Sequence, residues 1–117
     1  MAKVLILEDD PDIAELYRQC LVNAGYDVVG VGDDPLRAMA GPAPDVILLD
    51  ERLGALSGSR AIPDLRRAFP VARIMLATAD SDAADRAFAR GADDVETKPF
   101  SLDRLLRDLA SLLAPKG

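Results

Sequence analysis

The chain has 117 residues, half of them hydrophobic and 29% charged, with a net charge of −6. That length holds one domain with a real core, and the acidic balance argues against a nucleic-acid surface, which needs a basic footprint. There is no histidine, so histidine-ligated metals, histidine triads and phosphohistidine on this chain are excluded.

In chain order, Lys3-Val4-Leu5-Ile6-Leu7 is a short apolar run ending in Glu8-Asp9-Asp10, and residues 3–8 read as a first strand. Asp10 as N-cap, Pro11 at the first helical position and Asp12 in the first turn start a helix. Ile13, Leu16, Tyr17, Cys20, Leu21 and Ala24 keep the spacing of one buried stripe, and Gly25 ends it. Cys20 reads as a small core hydrophobe with no partner for an internal disulfide. Residues 26–31 predict a second strand, and 34–41 a short helix opened by Asp34-Pro35. The stretch Pro44-Asp45-Val46-Ile47-Leu48-Leu49-Asp50 organises the rest. It is a nearly unbroken apolar run between turn formers, as for a strand buried on both faces, and it delivers Asp50 at its carboxyl end.

Ser57 is placed to cap a third helix carrying Ile62, Leu65 and Phe69, and Pro63 inside that pattern moves its expected start toward Ala61. Residues 73–77 predict a fourth strand leading to Thr78, and 81–90 a helix of small and charged residues closed by Gly91. Residues 92–96 form the poorest strand, before Thr97-Lys98-Pro99. Ser101 then caps a last helix striped by Leu102, Leu105, Leu106, Leu109, Leu112 and Leu113. No run is long enough to cross a membrane, and the start is too short for a signal peptide. With one cysteine, this predicts a cytoplasmic location.

Strands alternating with helices over residues 1–117 predict a single α/β domain: a parallel sheet with right-handed crossovers and helices on both faces. Ligands of open α/β sheets bind at the carboxyl edge. There the strand ends offer Glu8, Asp9, Asp50, Thr78 and Lys98.

Three stretches resemble motifs of the receiver domain of two-component response regulators. They are Val4 to Pro11 with its acidic pair, Pro44 to Asp50, and Gly91-Ala92-Asp93-Asp94-Val95-Glu96-Thr97-Lys98-Pro99-Phe100. They fall in the right order, and the resemblance covers essentially the whole chain. It implies a flavodoxin-like (βα)5 doubly wound sheet of order 2-1-3-4-5. It also implies a place in a phosphorelay, as a stand-alone regulator. By position, Asp50 corresponds to the phosphoacceptor, a carboxylate nucleophile. Glu8 and Asp9 correspond to the pair that holds Mg²⁺ together with Asp50 and the backbone carbonyl of Arg52. Lys98 corresponds to the lysine that pairs with a phosphoryl oxygen, and Thr78 to the hydroxyl that donates to another. The implied partners are a sensor histidine kinase or histidine phosphotransfer protein and a downstream protein effector, with no nucleic acid and no membrane. The only implied catalysis is self-phosphorylation and self-dephosphorylation.

This chain departs from the family pattern in places. The stretch from Thr78 to Lys98 is slightly short, which leaves Ala77 or Thr78 for the switch position. Val95 stands where many receivers have an aromatic, and Gly54 where they often have proline. By the resemblance, Arg52 and Asp80 stand where side chains flank the phosphoryl group; two readings are open, a lid formed by the pair and two unrelated solvated charges, and the second is favoured. A phosphorylation-independent interaction module is the alternative reading. An aspartyl phosphatase is disfavoured because Arg52 stands where such enzymes need a second Asp. A flavin-type binder lacks a glycine-rich loop after the first strand.

Overall fold

The structure, a computed structural model, describes residues 1–115. Its elements in order are β1 (Lys3–Leu7), α1 (Pro11–Asn23), β2 (Asp27–Gly32), α2 (Pro35–Met39), β3 (Val46–Asp50), β4 (Arg52–Leu53), β5 (Leu56–Ser57), α3 (Gly58–Ala68), β6 (Arg73–Thr78), α4 (Ser81–Ala89), β7 (Asp94–Thr97) and α5 (Leu102–Leu113). The main sheet has the order β2-β1-β3-β6-β7 and every pairing in it is parallel. With the two-stranded β4–β5 hairpin set aside, that is the expected doubly wound order.

The central strand explains the layering. Every residue of β3 is buried, and a strand sends alternate side chains to opposite faces. Val46 and Leu48 therefore join Val4, Ile6, Met75, Tyr17, Leu21, Leu105 and Leu109 in one core layer, under α1 and α5. Ile47 and Leu49 join Leu5, Leu7, Ile62, Leu65, Ile74 and Leu76 in the other, under α3. On the continuing alternation Asp50 follows the first row and Glu51 the second.

Helix ends follow the sequence signals. Asp10 Oδ1 accepts from the Asp12 and Ile13 amides at 2.9 and 3.3 Å, and Gly25 takes the left-handed conformation at φ +96. Ser101 Oγ accepts from the Arg104 amide at 3.1 Å.

Two expectations need correction. The buried stripe of α1 runs through Ala14, Tyr17 and Leu21. It is rotated about the helix axis, so Leu16 is 49% exposed and Cys20 only half-buried. The third helix starts at Gly58 rather than near Ala61, and Pro63 lies inside it. Ser57 holds the N-cap position but its side chain makes no capping bond; the first turn is held from outside by Glu51, as described below. Pro63 is exposed, so its ring finds room, and the helix forgoes one backbone bond there.

At the sheet edge, β1 and β2 slip register between Val4 and Leu5, which pair with Val28 and Gly30. A Cβ at Gly30 would lie 2.9 Å from Leu5 Cδ1, so only glycine lets the strand pass Leu5 without a shift.

Candidate functional site

The expected residues converge at the carboxyl edge of the sheet. β1 and β3 are adjacent and in register, Leu7 opposite Leu49. Glu8 and Asp9 thus leave the sheet beside Asp50, and carboxylate oxygens of the three lie within 4.8 Å of one another. Glu8 and Asp50 are each only 5% exposed, while Asp9 is on the surface. From β7, Lys98 reaches in and its Nζ donates to Asp50 Oδ2 at 2.8 Å. The other Asp50 oxygen, Oδ1, accepts from the Arg52 amide at 3.1 Å.

The loop after β3 closes over this group. Gly54 has φ +61, and its amide donates to Asp9 Oδ2 at 3.1 Å. Proline at this place could make neither the conformation nor the bond, so the departure at Gly54 gives Asp9 a backbone donor.

Thr78 ends β6, buried at 5% exposure. Its neighbour Ala77 is the register partner of Asp50. By alternation Thr78 continues the Ile74–Leu76 row, against which Val95 packs. Thr78 Oγ1 accepts from the Asp80 amide at 3.0 Å, which leaves its hydroxyl hydrogen free to donate. Asp80 caps α4, its Oδ1 accepting from the Asp82 amide at 2.9 Å. Among the described residues no ion pair joins Arg52 to Asp80, as the favoured reading of two unrelated charges expects.

The environments of the two buried acids push them in opposite directions. Burial pushes Glu8 up to about 8, reinforced by the hydrogen bond with Asp50 and the Asp50 charge. Burial also pushes Asp50 up, but hydrogen bonds with Glu8, Lys98 and the Arg52 amide outweigh it and hold the carboxyl below its ordinary value. Tyr17 is pushed up to about 12 by burial and by the same two acids, and its ring stacks on Phe100 at a 6.2 Å centroid distance.

This donor set fits a hard divalent cation. Three carboxylates converge, and Glu8 Oε2 is buried with no hydrogen-bond partner. A cation is what such an oxygen lacks. Binding it must displace the proton held near Glu8. Affinity for a divalent ion is therefore expected to rise with pH, by up to about tenfold per unit, until it levels near the Glu8 value of about 8. Calorimetric titration across that range would show the slope, and Glu8→Gln should flatten it; a flat wild-type profile would contradict the raised Glu8 value. The fold responds in the opposite sense. Folded Glu8 holds its proton more tightly than unfolded Glu8. Its contribution to stability is therefore complete below about 4.5 and is lost as pH rises to about 8 in the metal-free protein.

The response regulator receiver domain family matches residues 4–110. The chain belongs to that family. Among curated relatives, the transcriptional regulatory protein KdpE of Mycobacterium tuberculosis is 37% identical over 113 residues, covering 93% of this chain and 50% of KdpE. The alkaline phosphatase synthesis transcriptional regulatory protein PhoP of Bacillus subtilis is 34% identical, covering 85% of this chain and 43% of PhoP. This receiver domain thus spans about half the length of the curated relatives it matches. Among solved structures, a putative response regulator from Chloroflexus aurantiacus superposes with a TM-score of 0.86 at 26% identity, covering 97% of this chain and 98% of that one. The receiver domain of DrrB, activated by BeF3, gives 0.84 at 26% identity, covering 97% of each chain.

The sequence missed part of this receiver's site. Gly58 packs against the Asp50 carbonyl and Ser59 bonds Glu51, the residue after Asp50, and none of these three was singled out. The signals were an acid directly after the strand-end acid and the small-residue run Ser57-Gly58-Ser59 at a helix start.

Proposed function

We propose that this receiver domain accepts a phosphoryl group on Asp50 in a two-component relay and changes its partner-binding surface as a result. The observation that carries the reading is the Lys98–Asp50 bond of 2.8 Å beside the Glu8–Asp9–Asp50 cluster. An Asp50 oxygen would attack phosphorus as the bond from phosphorus to the donor's imidazole nitrogen breaks. Lys98 would follow one phosphoryl oxygen and Thr78 would donate to another. Glu8, Asp9, Asp50 and the Arg52 carbonyl would hold Mg²⁺. The ion would neutralise charge as two anions approach.

The donor is a phosphohistidine on a kinase or phosphotransfer protein, and the effector is a protein docking on the face of α4, β7 and α5. Added charge at Asp50 acts by shifting a two-state equilibrium. Turnover of external phosphate esters is not expected, since Arg52 stands where a second catalytic acid would be needed. No helix of the described residues is long and apolar enough to cross a membrane.

Intact-mass measurement after incubation with acetyl phosphate and Mg²⁺ tests this. One added phosphoryl group is expected, lost when a chelator is included. No gain and no Mg²⁺ binding would favour a phosphorylation-independent module on the same fold, whereas no gain with Mg²⁺ binding intact would point to a phosphodonor restriction or to Arg52 blocking access.

A further inference from the structure

Side chains alternate along β3, so Asp50 and Glu51 point to opposite faces. Asp50 enters the acidic cluster. Glu51 turns toward α3 and α4, where its carboxylate is largely buried, at 13% exposure. There Oε1 accepts from Ser57 Oγ at 2.6 Å and from the Ser59 amide at 2.8 Å, and Oε2 accepts from Ser59 Oγ at 3.0 Å. The Glu51 backbone is fixed as well. Its carbonyl accepts from the Gly58 amide at 2.8 Å and its amide donates to the Ala77 carbonyl at 3.1 Å. From α4, Arg86 Nη2 stands 3.9 Å from Glu51 Oε2, and Arg90 donates to Ser59 Oγ at 3.3 Å.

These bonds close the segment between Glu51 and Ser59 into a tied loop. The tied segment contains the hairpin of β4 and β5, and on it lie the two backbone groups that meet the site, the Arg52 amide on Asp50 and the Gly54 amide on Asp9. Helix α3 begins where the loop ends, without a capping bond from Ser57, because that hydroxyl is spent on Glu51. One carboxylate therefore does two jobs: it satisfies the first turn of α3, and it sets where the hairpin sits over the acids.

We propose that Glu51 is a positioning residue for the metal site, holding the 52–57 hairpin so that its backbone faces the Glu8–Asp9–Asp50 cluster. The proposal rests on the phosphoryl-acceptor function proposed above, because the cluster must take a divalent cation for the position of the hairpin to matter. Groups that orient a metal's surroundings without touching it typically change affinity by about 10- to 100-fold when removed. A glutamine can replace the carboxylate's role. It accepts from Ser57 and Ser59 through its oxygen and donates to the Ser59 hydroxyl through its nitrogen.

The test is Mg²⁺ titration by calorimetry on wild type, Glu51→Ala, Glu51→Gln and the double variant Ser57→Ala/Ser59→Ala. Thermal melts without metal and amide hydrogen exchange at Gly54 are measured on each. Glu51→Ala should weaken Mg²⁺ binding about tenfold in the folded protein and speed exchange at Gly54. The serine double variant should do the same to a lesser degree, and Glu51→Gln should restore most of both. If Glu51→Ala does not fold, the serine variant carries the decision. Lower melting temperatures with Mg²⁺ affinity unchanged would make Glu51 a purely structural cap and overturn the proposal. A Gln variant as weak as Ala would make the effect one of charge and overturn it too. A wild-type chain that does not bind Mg²⁺ would overturn the proposed phosphoryl-acceptor function, and this proposal with it.

Discussion

Asp50→Asn is expected to abolish the phosphoryl gain outright while leaving the fold intact. The amide has nearly the shape of the carboxylate, and its oxygen can still accept from Lys98 Nζ or from the Arg52 amide, the two bonds the wild-type side chain makes at 2.8 and 3.1 Å. What it loses is the anionic nucleophile. The variant also removes the charge that helps push Glu8 up to about 8, so the Glu8 carboxyl should move toward its ordinary value. The intact mass should show no adduct with acetyl phosphate and Mg²⁺, and the melting temperature should stay close to wild type. A variant that still gains a phosphoryl group would move the acceptor to another acid of the cluster, Glu8 or Asp9, and would undo the assignment of Asp50.

Gly58→Ala should be the most damaging single methyl in the molecule. A Cβ there would lie 2.0 Å from the Asp50 carbonyl oxygen and 3.1 Å from Glu51 Cα, both backbone atoms that cannot step aside alone. Inserted methyl groups in packed regions cost about 1–3 kcal/mol when side chains can adjust. Here β3 and the start of α3 must part, so the loss should reach or pass the top of that range. In a domain of this size that is a fall in melting temperature of roughly 10 °C. Gly41→Ala is the matched control. Its Cβ would approach nothing closer than the Ala38 carbonyl at 3.4 Å, and its stability should change by less than about 0.5 kcal/mol. Divalent-ion affinity of the Gly58 variant should fall as well, because the displaced group is the backbone of Asp50 itself. Equal melting temperatures for the two alanine variants would refute this account of the contact.

The layering and the acid cluster were legible because each rests on a strong local signal, whereas the strand order came only from the resemblance to receiver domains. Continuous apolar runs mark strands buried on both faces, Asp10 and Ser101 mark helix starts, and strand-end acids collect at one edge by topology. The errors came where distant groups decide the outcome. Pro63 argued for a later start to α3, but Glu51, several residues upstream, satisfies the first turn and lets the helix begin at Gly58. Leu16 shared the spacing of a buried stripe, but a thirteen-residue helix can turn either flank of its apolar arc toward the sheet, and only packing decides which.

The register slip between β1 and β2 has a bearing on solubility. β2 is an edge strand, half-exposed along its middle, with Val31 open to solvent. A long flat edge of that kind is a template for pairing with another chain. Here the ladder breaks between Val4 and Leu5, glycines stand at Gly30 and Gly32, and acids flank the strand at Asp27, Asp33 and Asp34. Irregular, charged and interrupted, this rim makes a poor seed for aggregation.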